Sequence, residues 1–222
     1  MKVCLMLSGL LRDNSSFASL QQHILHKYDV DVYCQNWYTS EQSKTADADV
    51  IMQSYKPREL LQQQHLGKEY YADLVKIHGN TQLYYQGYSQ LHALQTVSNM
   101  FNWADYDFII RARYDKIHII NFPDLNKMHR GLFYAGNRHP AYTSSPDWFM
   151  DLIFIMPNMM QSFCSTYDLM HDAALCSSMY AWPQRHVDYF YPEFAFRYCL
   201  HHLKYEDKYI RMHDDDFLIA PA

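Results

Sequence analysis

The sequence lacks any apolar run as long as a membrane span and any cluster of basic residues. The first absence argues against a transmembrane helix, which needs about 20 mostly apolar residues. The second argues against a polybasic anchor for acidic lipids. With 19 Lys and Arg against 24 Asp and Glu, the formal charge is −5. That balance gives no general basic face to displace counterions, so a nucleic-acid partner is not expected. Glycine is scarce, at 6 of 222 residues, and neither a G-x-G-x-x-G fingerprint nor a P-loop is present. No C-x-x-C pair occurs among Cys4, Cys34, Cys164, Cys176 and Cys199, which argues against zinc and dithiol redox motifs. Five widely spaced cysteines, several in apolar runs, read as buried thiols in a reducing compartment. Internal repeats, low-complexity tracts and linkers are also missing, so residues 1–222 read as a single domain.

What is present suits an ordinary globular protein: 49% hydrophobic and 19% charged residues. Tyrosine is abundant, at 20 residues. Such side chains favour half-buried surfaces with polar tips, which suit pockets for sugars. The run from Lys2 to Leu11 is short, lacks a small-residue cleavage site and leads into Arg12-Asp13-Asn14. It reads as a first strand rather than a signal peptide, and a cytoplasmic location is expected.

In order, Lys2 to Leu7 has the continuous apolar character of a parallel strand buried on both faces. Ser8-Gly9 is expected to turn the chain there, with Arg12 placed to meet a ligand phosphate, an ordinary βα turn with a surface arginine being the alternative. A helix is expected from about Phe17 to Tyr28, and a strand from Asp29 to Cys34. Val50-Ile51-Met52 reads as a short strand, and Pro57 as the start of a helix to about His65. A long helix over Thr81–Trp103 carries Tyr84, Tyr88, Leu91, Leu94 and Phe101 at helical spacing. Strands follow over Asp107–Asp115, Leu132–Ala135 and Leu152–Met156, with Ile117–Ile120 as an extension or short partner. Helices over Thr166–Tyr180 and Pro192–Leu203 precede a last strand at Tyr209–Met212. The alternation argues for an α/β fold: a mostly parallel central sheet with helices on both faces.

The most telling stretch is Phe108-Ile109-Ile110 running into Arg111, Arg113 and Asp115. A soluble fold does not bury such charges without partners. They belong where a central strand leaves the core, the crevice in which open α/β sheets bind ligands. If the strand stays extended, the three side chains share one face and can meet one diphosphate with its metal ion. A structural ion-pair network at a strand end is the other open account.

Several of these features together resemble the GT-A-fold glycosyltransferases of bacterial surface-polysaccharide loci and large viruses. They are Ser8-Gly9 with Arg12, Tyr28–Val32 leading to Trp37, the Tyr- and Gln-rich stretch Gln82–Tyr88, Tyr106–Asp115, Asp151 before an apolar strand, and Pro192-Glu193 opening a helix. The resemblance covers roughly residues 2–203. It implies a single GT-A-like, Rossmann-like domain that transfers a hexose from a nucleotide-sugar donor to a hydroxyl of an acceptor glycan, as in polysaccharide biosynthesis. In that family a D-x-D-type motif holds Mn²⁺ or Mg²⁺ against the donor diphosphate. Here Arg113-Tyr114-Asp115 occupies the place, so Asp115 is the expected metal ligand and Arg113 stands where an acidic residue is common. Metal use is therefore open, since Arg113 itself can neutralise the leaving diphosphate. Ser8, Gly9, Arg12, Gln82, Tyr85, Arg111 and Arg113 are the expected donor-binding residues. Asp151 is the expected general base, a helix cap or ion pair being its alternative. His213 is a further candidate metal ligand, a solvated acidic tail at His213–Asp216 being its alternative. Two other functions stay open: a non-catalytic nucleotide- or carbohydrate-binding domain derived from such an enzyme, and a sugar nucleotidylyltransferase. The latter usually has a Gly-rich first loop, and Ser8-Gly9-Leu10-Leu11 is poor in glycine.

Overall fold

A computed structural model describes residues 1–39, 44–78, 84–115, 117–135, 137–138, 153–181, 192–211 and 218–220. The chain begins with β1 (Lys2–Leu10), α1 (Phe17–Leu20) with a π-helical turn at Gln21–Leu25, β2 (Asp29–Tyr38), α2 (Lys44–Tyr55) and β3 (Glu59–Gln64). Next come α3 (Gly67–Tyr70), α4 (Ala72–His78), α5 (Tyr84–Ser98), β4 (Phe108–Ala112), β5 (His118–Asn121), β6 (Phe133–Ala135) and β7 (Asn137–Arg138). The last elements are β8 (Ile153–Met156), α6 (Gln161–Cys164), α7 (Thr166–Leu169), α8 (Ala173–Tyr180), α9 (Pro192–His202), β9 (Tyr209–Arg211) and β10 (Leu218–Ala220).

Among the described residues seven strands form the central sheet in the order β3-β2-β1-β4-β8-β6-β9, and β5-β10-β7 form a small second sheet. In the central sheet β8 runs antiparallel to both its neighbours, and every other neighbouring pair is parallel. Because β1 and β4 are flanked on both sides, Val3–Leu7 and Phe108–Ile110 are fully buried, which explains their unbroken apolar runs. Alternate side chains feed two cores. Cys4, Met6, Ile109 and Phe154 meet Leu91 and Leu94 of α5 together with Phe163 and Phe196. Val3, Leu5, Leu7, Phe108 and Ile110 meet Leu20, Ile24 and Ile51 on the other face. The expected α/β sheet with helices on both faces is present.

Two elements take the opposite form to that expected. Val50-Ile51-Met52 lies within α2, where Ile51 is buried while Val50 and Met52 are exposed. One buried residue between two exposed ones is as natural on a helix as in a strand, and three residues are too few to decide. The stretch after Pro57 is β3, not a helix. Its Leu and Gln residues favour a helix in isolation, but pairing with β2 overrides that preference. The ladder starts where the Arg58 amide donates to Val32 O at 2.8 Å.

The amino end of the sheet is closed by a charge network. Asp31 accepts from Tyr106 Oη at 3.0 Å, lies 3.2 Å from Lys2 Nζ and pairs with Arg58. Burial pushes the Asp31 carboxyl up, but hydrogen bonds from Lys2, Tyr106 and Arg58 outweigh it and hold the pKa below the usual carboxylate range.

Candidate active site

Strand order reverses between β1 and β4: β2 and β3 lie on one side of β1, and β4 lies on the other. In open α/β sheets ligands bind in the crevice outside the carboxyl ends of such a pair. Arg12 lies on the loop after β1, and Arg113 and Asp115 lie on the loop after β4.

β1 runs on through Leu10, so Ser8 and Gly9 are its last turnward residues and not the turn itself. Gly9 has φ +122°, and among the described residues other than its chain neighbours no atom lies within 4 Å of where a Cβ would stand. Glycine is needed there for its backbone conformation, not for close approach. The end of the strand is fixed by polar side chains of β2. Gln35 Oε1 accepts from the Gly9 amide at 3.3 Å, and Asn36 Oδ1 accepts from the Leu11 amide at 3.1 Å. Ser8 is buried, and its Oγ has no hydrogen-bond partner among the described residues.

β4 ends at Ala112, so the alternation that would align Arg111, Arg113 and Asp115 stops short of Arg113. A loop brings Asp115 into place instead. Its anchor is Tyr114, whose ring is buried. The Tyr114 hydroxyl lies 3.1 Å from Gln35 O and 3.5 Å from Leu7 O, under the ends of β2 and β1. Burial pushes its pKa well up, so it stays a neutral donor. The Ser16 amide donates to Tyr114 O at 3.2 Å, and Ser16 Oγ accepts from the Ile117 amide at 3.1 Å. The two crevice loops are thereby stitched together.

Above this anchor Asp115 is clasped by two guanidinium groups. Arg113 donates through Nε to Oδ1 at 3.0 Å and through Nη2 to Oδ2 at 3.4 Å. Arg12 Nη1 stands 3.7 Å from Oδ2, and its side chain is 45% exposed against 3% for Asp115. Arg111 is placed differently. It is fully buried inside β4, opposite Met6 and Phe154, with its guanidinium 5.5 Å from the Phe154 ring centroid. Arg111 is thus held inside the sheet, whereas Arg113 and Asp115 lie beyond the end of β4.

On the α5 side of the same edge stands an aromatic wall. Trp37 is buried and donates through Nε1 to Ser89 O at 3.3 Å. His65 bonds Ser89 Oγ at 3.0 Å and meets the rings of Trp37 and Tyr85 edge-on. Tyr85, an expected donor contact, is half-buried in the first turn of α5.

No protein-family model matches the sequence, and no curated protein sequence matches it. Solved structures do. Mouse xyloside xylosyltransferase 1 in its apo form matches at a TM-score of 0.50 with 8% identity, over 96% of this chain and 86% of that one. The galactosyltransferase LgtC, solved with donor and acceptor sugar analogs, matches at 0.48 with 9% identity, over 96% and 74%. GlyE, a glycosyltransferase of Streptococcus pneumoniae, matches at 0.47 with 12% identity, over 96% of this chain and 46% of its own. The fold is GT-A.

Within this GT-A sheet the structure brings together Arg12, Arg113 and Asp115, with Ser8 and Gly9 at the adjoining strand end. Gln82, Asp151 and His213 lie outside the described residues. Among the described residues no three His, Cys, Asp or Glu side chains converge as a metal site. The cluster at Asp115 does not fit a resident Mn²⁺ or Mg²⁺. Such an ion needs carboxylate oxygens open to it and room for its waters. Here the carboxylate is buried and held by two cations, each of which repels a metal ion. At 4 Å and an effective dielectric of 20, repulsion is about 4 kcal/mol for each pair of unit charges.

Sequence reasoning missed Gln35, Asn36 and Tyr114. The signal was present for the first two. Gln35-Asn36 interrupts an apolar strand between Cys34 and Trp37, where polar residues need a partner or a task. Tyr114 had no such signal, because nothing local shows that its hydroxyl reaches two neighbouring strands.

Proposed function

We propose that the chain is a glycosyltransferase that moves a sugar from a nucleotide-diphosphate-sugar to a hydroxyl of an acceptor glycan. The observation that carries this reading is the Arg12–Asp115–Arg113 cluster at the β1/β4 switch point of a GT-A sheet. In the reaction the bond between the anomeric carbon and the β-phosphate oxygen breaks, and its electron pair stays on that oxygen. The nucleoside diphosphate leaves with one more negative charge. The acceptor oxygen bonds to the anomeric carbon, and its proton passes to a general base, a role we assign to Asp151 from the sequence. Arg12 and Arg113 oppose the charge that develops on the leaving group. Ser8, Gly9 and Tyr85 line the donor side in this reading, and the Gln35 and Asn36 side chains keep the end of β1 in place for it. Among the described residues no helix is long and apolar enough to cross a membrane, and none of the five buried cysteines is in a disulfide. Both support placing the reaction in the cytoplasm.

A thermal-shift screen of nucleotide-sugars, followed by assay of nucleoside diphosphate release with glycan acceptors, tests the proposal. Stabilisation by one nucleotide family and release on adding acceptor is the expected result. Stabilisation without release in any acceptor supports a derived binding domain. Pyrophosphate release from a nucleoside triphosphate and a sugar 1-phosphate supports a nucleotidylyltransferase. No stabilisation by any nucleotide-sugar removes the donor site.

A further inference from the structure

Building on that reading, we propose that the donor diphosphate is bound by guanidinium groups without a divalent cation, and that Asp115 is a positioning residue for Arg12 and Arg113 rather than a metal ligand.

The geometry around Asp115 is that of an acceptor already engaged. Arg113 takes both carboxylate oxygens in a fork, the arrangement in which guanidinium and carboxylate bind most strongly and with least freedom. Asp115 itself rests on a loop anchored by the buried Tyr114 beneath the ends of β1 and β2. Arg113 is therefore fixed through Asp115 to the sheet. Arg12 is held differently. At 3.7 Å it forms an ion pair with Asp115 without a short hydrogen bond, and nearly half its side chain faces solvent. A residue so placed keeps its charge near the crevice and can turn its fork to an arriving phosphate.

The charge count agrees. Arg12 and Arg113 contribute two positive charges and Asp115 one negative, so the cluster is cationic before any ligand binds. A carboxylate pair that binds a divalent metal starts at two negative charges and reaches only neutrality when loaded. The position agrees as well, because the cluster sits beyond the carboxyl ends of β1 and β4, where the strand order reverses. A phosphate there meets positive charge fixed by the protein alone, at no cost of reorganisation during the reaction.

The test uses the whole chain with inorganic pyrophosphate and with UDP, GDP, CDP and dTDP, each in EDTA and in Mn²⁺, by thermal shift and calorimetry. We expect at least one nucleoside diphosphate to bind in EDTA, with an affinity that Mn²⁺ changes by less than about threefold. Arg12→Met is expected to weaken that binding about tenfold while leaving the melting temperature of the unliganded protein unchanged. Arg12→Lys is expected to recover part of the loss, since it restores charge without the fork. Binding that appears only with Mn²⁺ overturns the inference and leaves the donor-site reading standing. Equal binding by Arg12→Met and the unaltered chain also overturns it. No binding under either condition overturns both.

Discussion

The two ends of the central sheet each hold a carboxylate between two cations, and they differ in what surrounds the charge. At the amino end, Asp31 meets Lys2, Arg58 and the Tyr106 hydroxyl. Its partners are bound into the frame: the Lys2 amide donates to Asp107 at 2.8 Å, and the Arg58 amide donates to Val32 O. At the carboxyl end, Asp115 meets Arg113 and Arg12, both on loops that leave the sheet at its switch point. Similar residue types thus close one end and, at the other, lie at the switch point where we propose that the donor binds. Charge clustering alone does not mark a site; its place in the topology does.

The sharpest way to break that comparison is to remove each carboxylate. Asp115→Ala is expected to lower kcat/KM for the donor by about 100-fold, because two guanidinium groups lose their common anchor. Steady-state release of nucleoside diphosphate measures it. Asp31→Ala is expected to leave that value within about twofold, at temperatures where the variant is folded. A large loss of turnover in Asp31→Ala would mean that the two ends are not separate.

The second expectation reverses the ranking for stability. Asp31→Ala strands two cations and the Tyr106 hydroxyl. Partial solvent exposure of Lys2 and Arg58 screens the loss, so a cost of about 2 kcal/mol is expected in urea unfolding. A smaller effect belongs to Tyr114→Phe. It removes the hydroxyl beneath the crevice and is expected to cost about 1 kcal/mol. A rise in donor KM with little change in kcat would show that Tyr114 acts through the loop it holds.

The fold was largely legible because its core strands speak locally. Val3–Leu7 and Phe108–Ile110 are apolar on both faces, which requires burial on both faces and so a central position. β3 and α2 were misread, since Leu60-Leu61-Gln62-Gln63-Gln64 becomes a strand through β2 and not through its own preference. At the site, Arg12, Arg113 and Asp115 could be chosen as charges leaving buried strands. Their meeting could not, because it depends on the Tyr114 and Ser16 contacts between two distant loops. Arg111 looked equivalent to Arg113 by alternation, yet the strand ends between them.

The smallest expected effects are titrations. The Asp31 carboxyl is held below its ordinary value, so its contribution to stability is complete above about pH 4 and is lost as pH falls further. Asp31→Asn should flatten that acid limb in a pH series of denaturant unfolding. The His65 and His92 pKa values are lowered as well, and in a base that disfavours the charged form. Burial lowers both, so the unfolded chain takes up protons first and stability declines as pH falls below about 6.5. His92→Phe should weaken the decline, since it removes the titrating imidazole and keeps an aromatic ring stacked between Tyr70 and Tyr167.

The most direct measurement is hydrogen exchange of the whole chain with and without the nucleotide-sugar that stabilises it most. Slowed exchange at residues 8–12 and 112–115, with residues 29–33 and 58–60 unchanged, is the result expected if the carboxyl end takes the donor. Protection confined to the amino end, or no protection at either, would contradict the account.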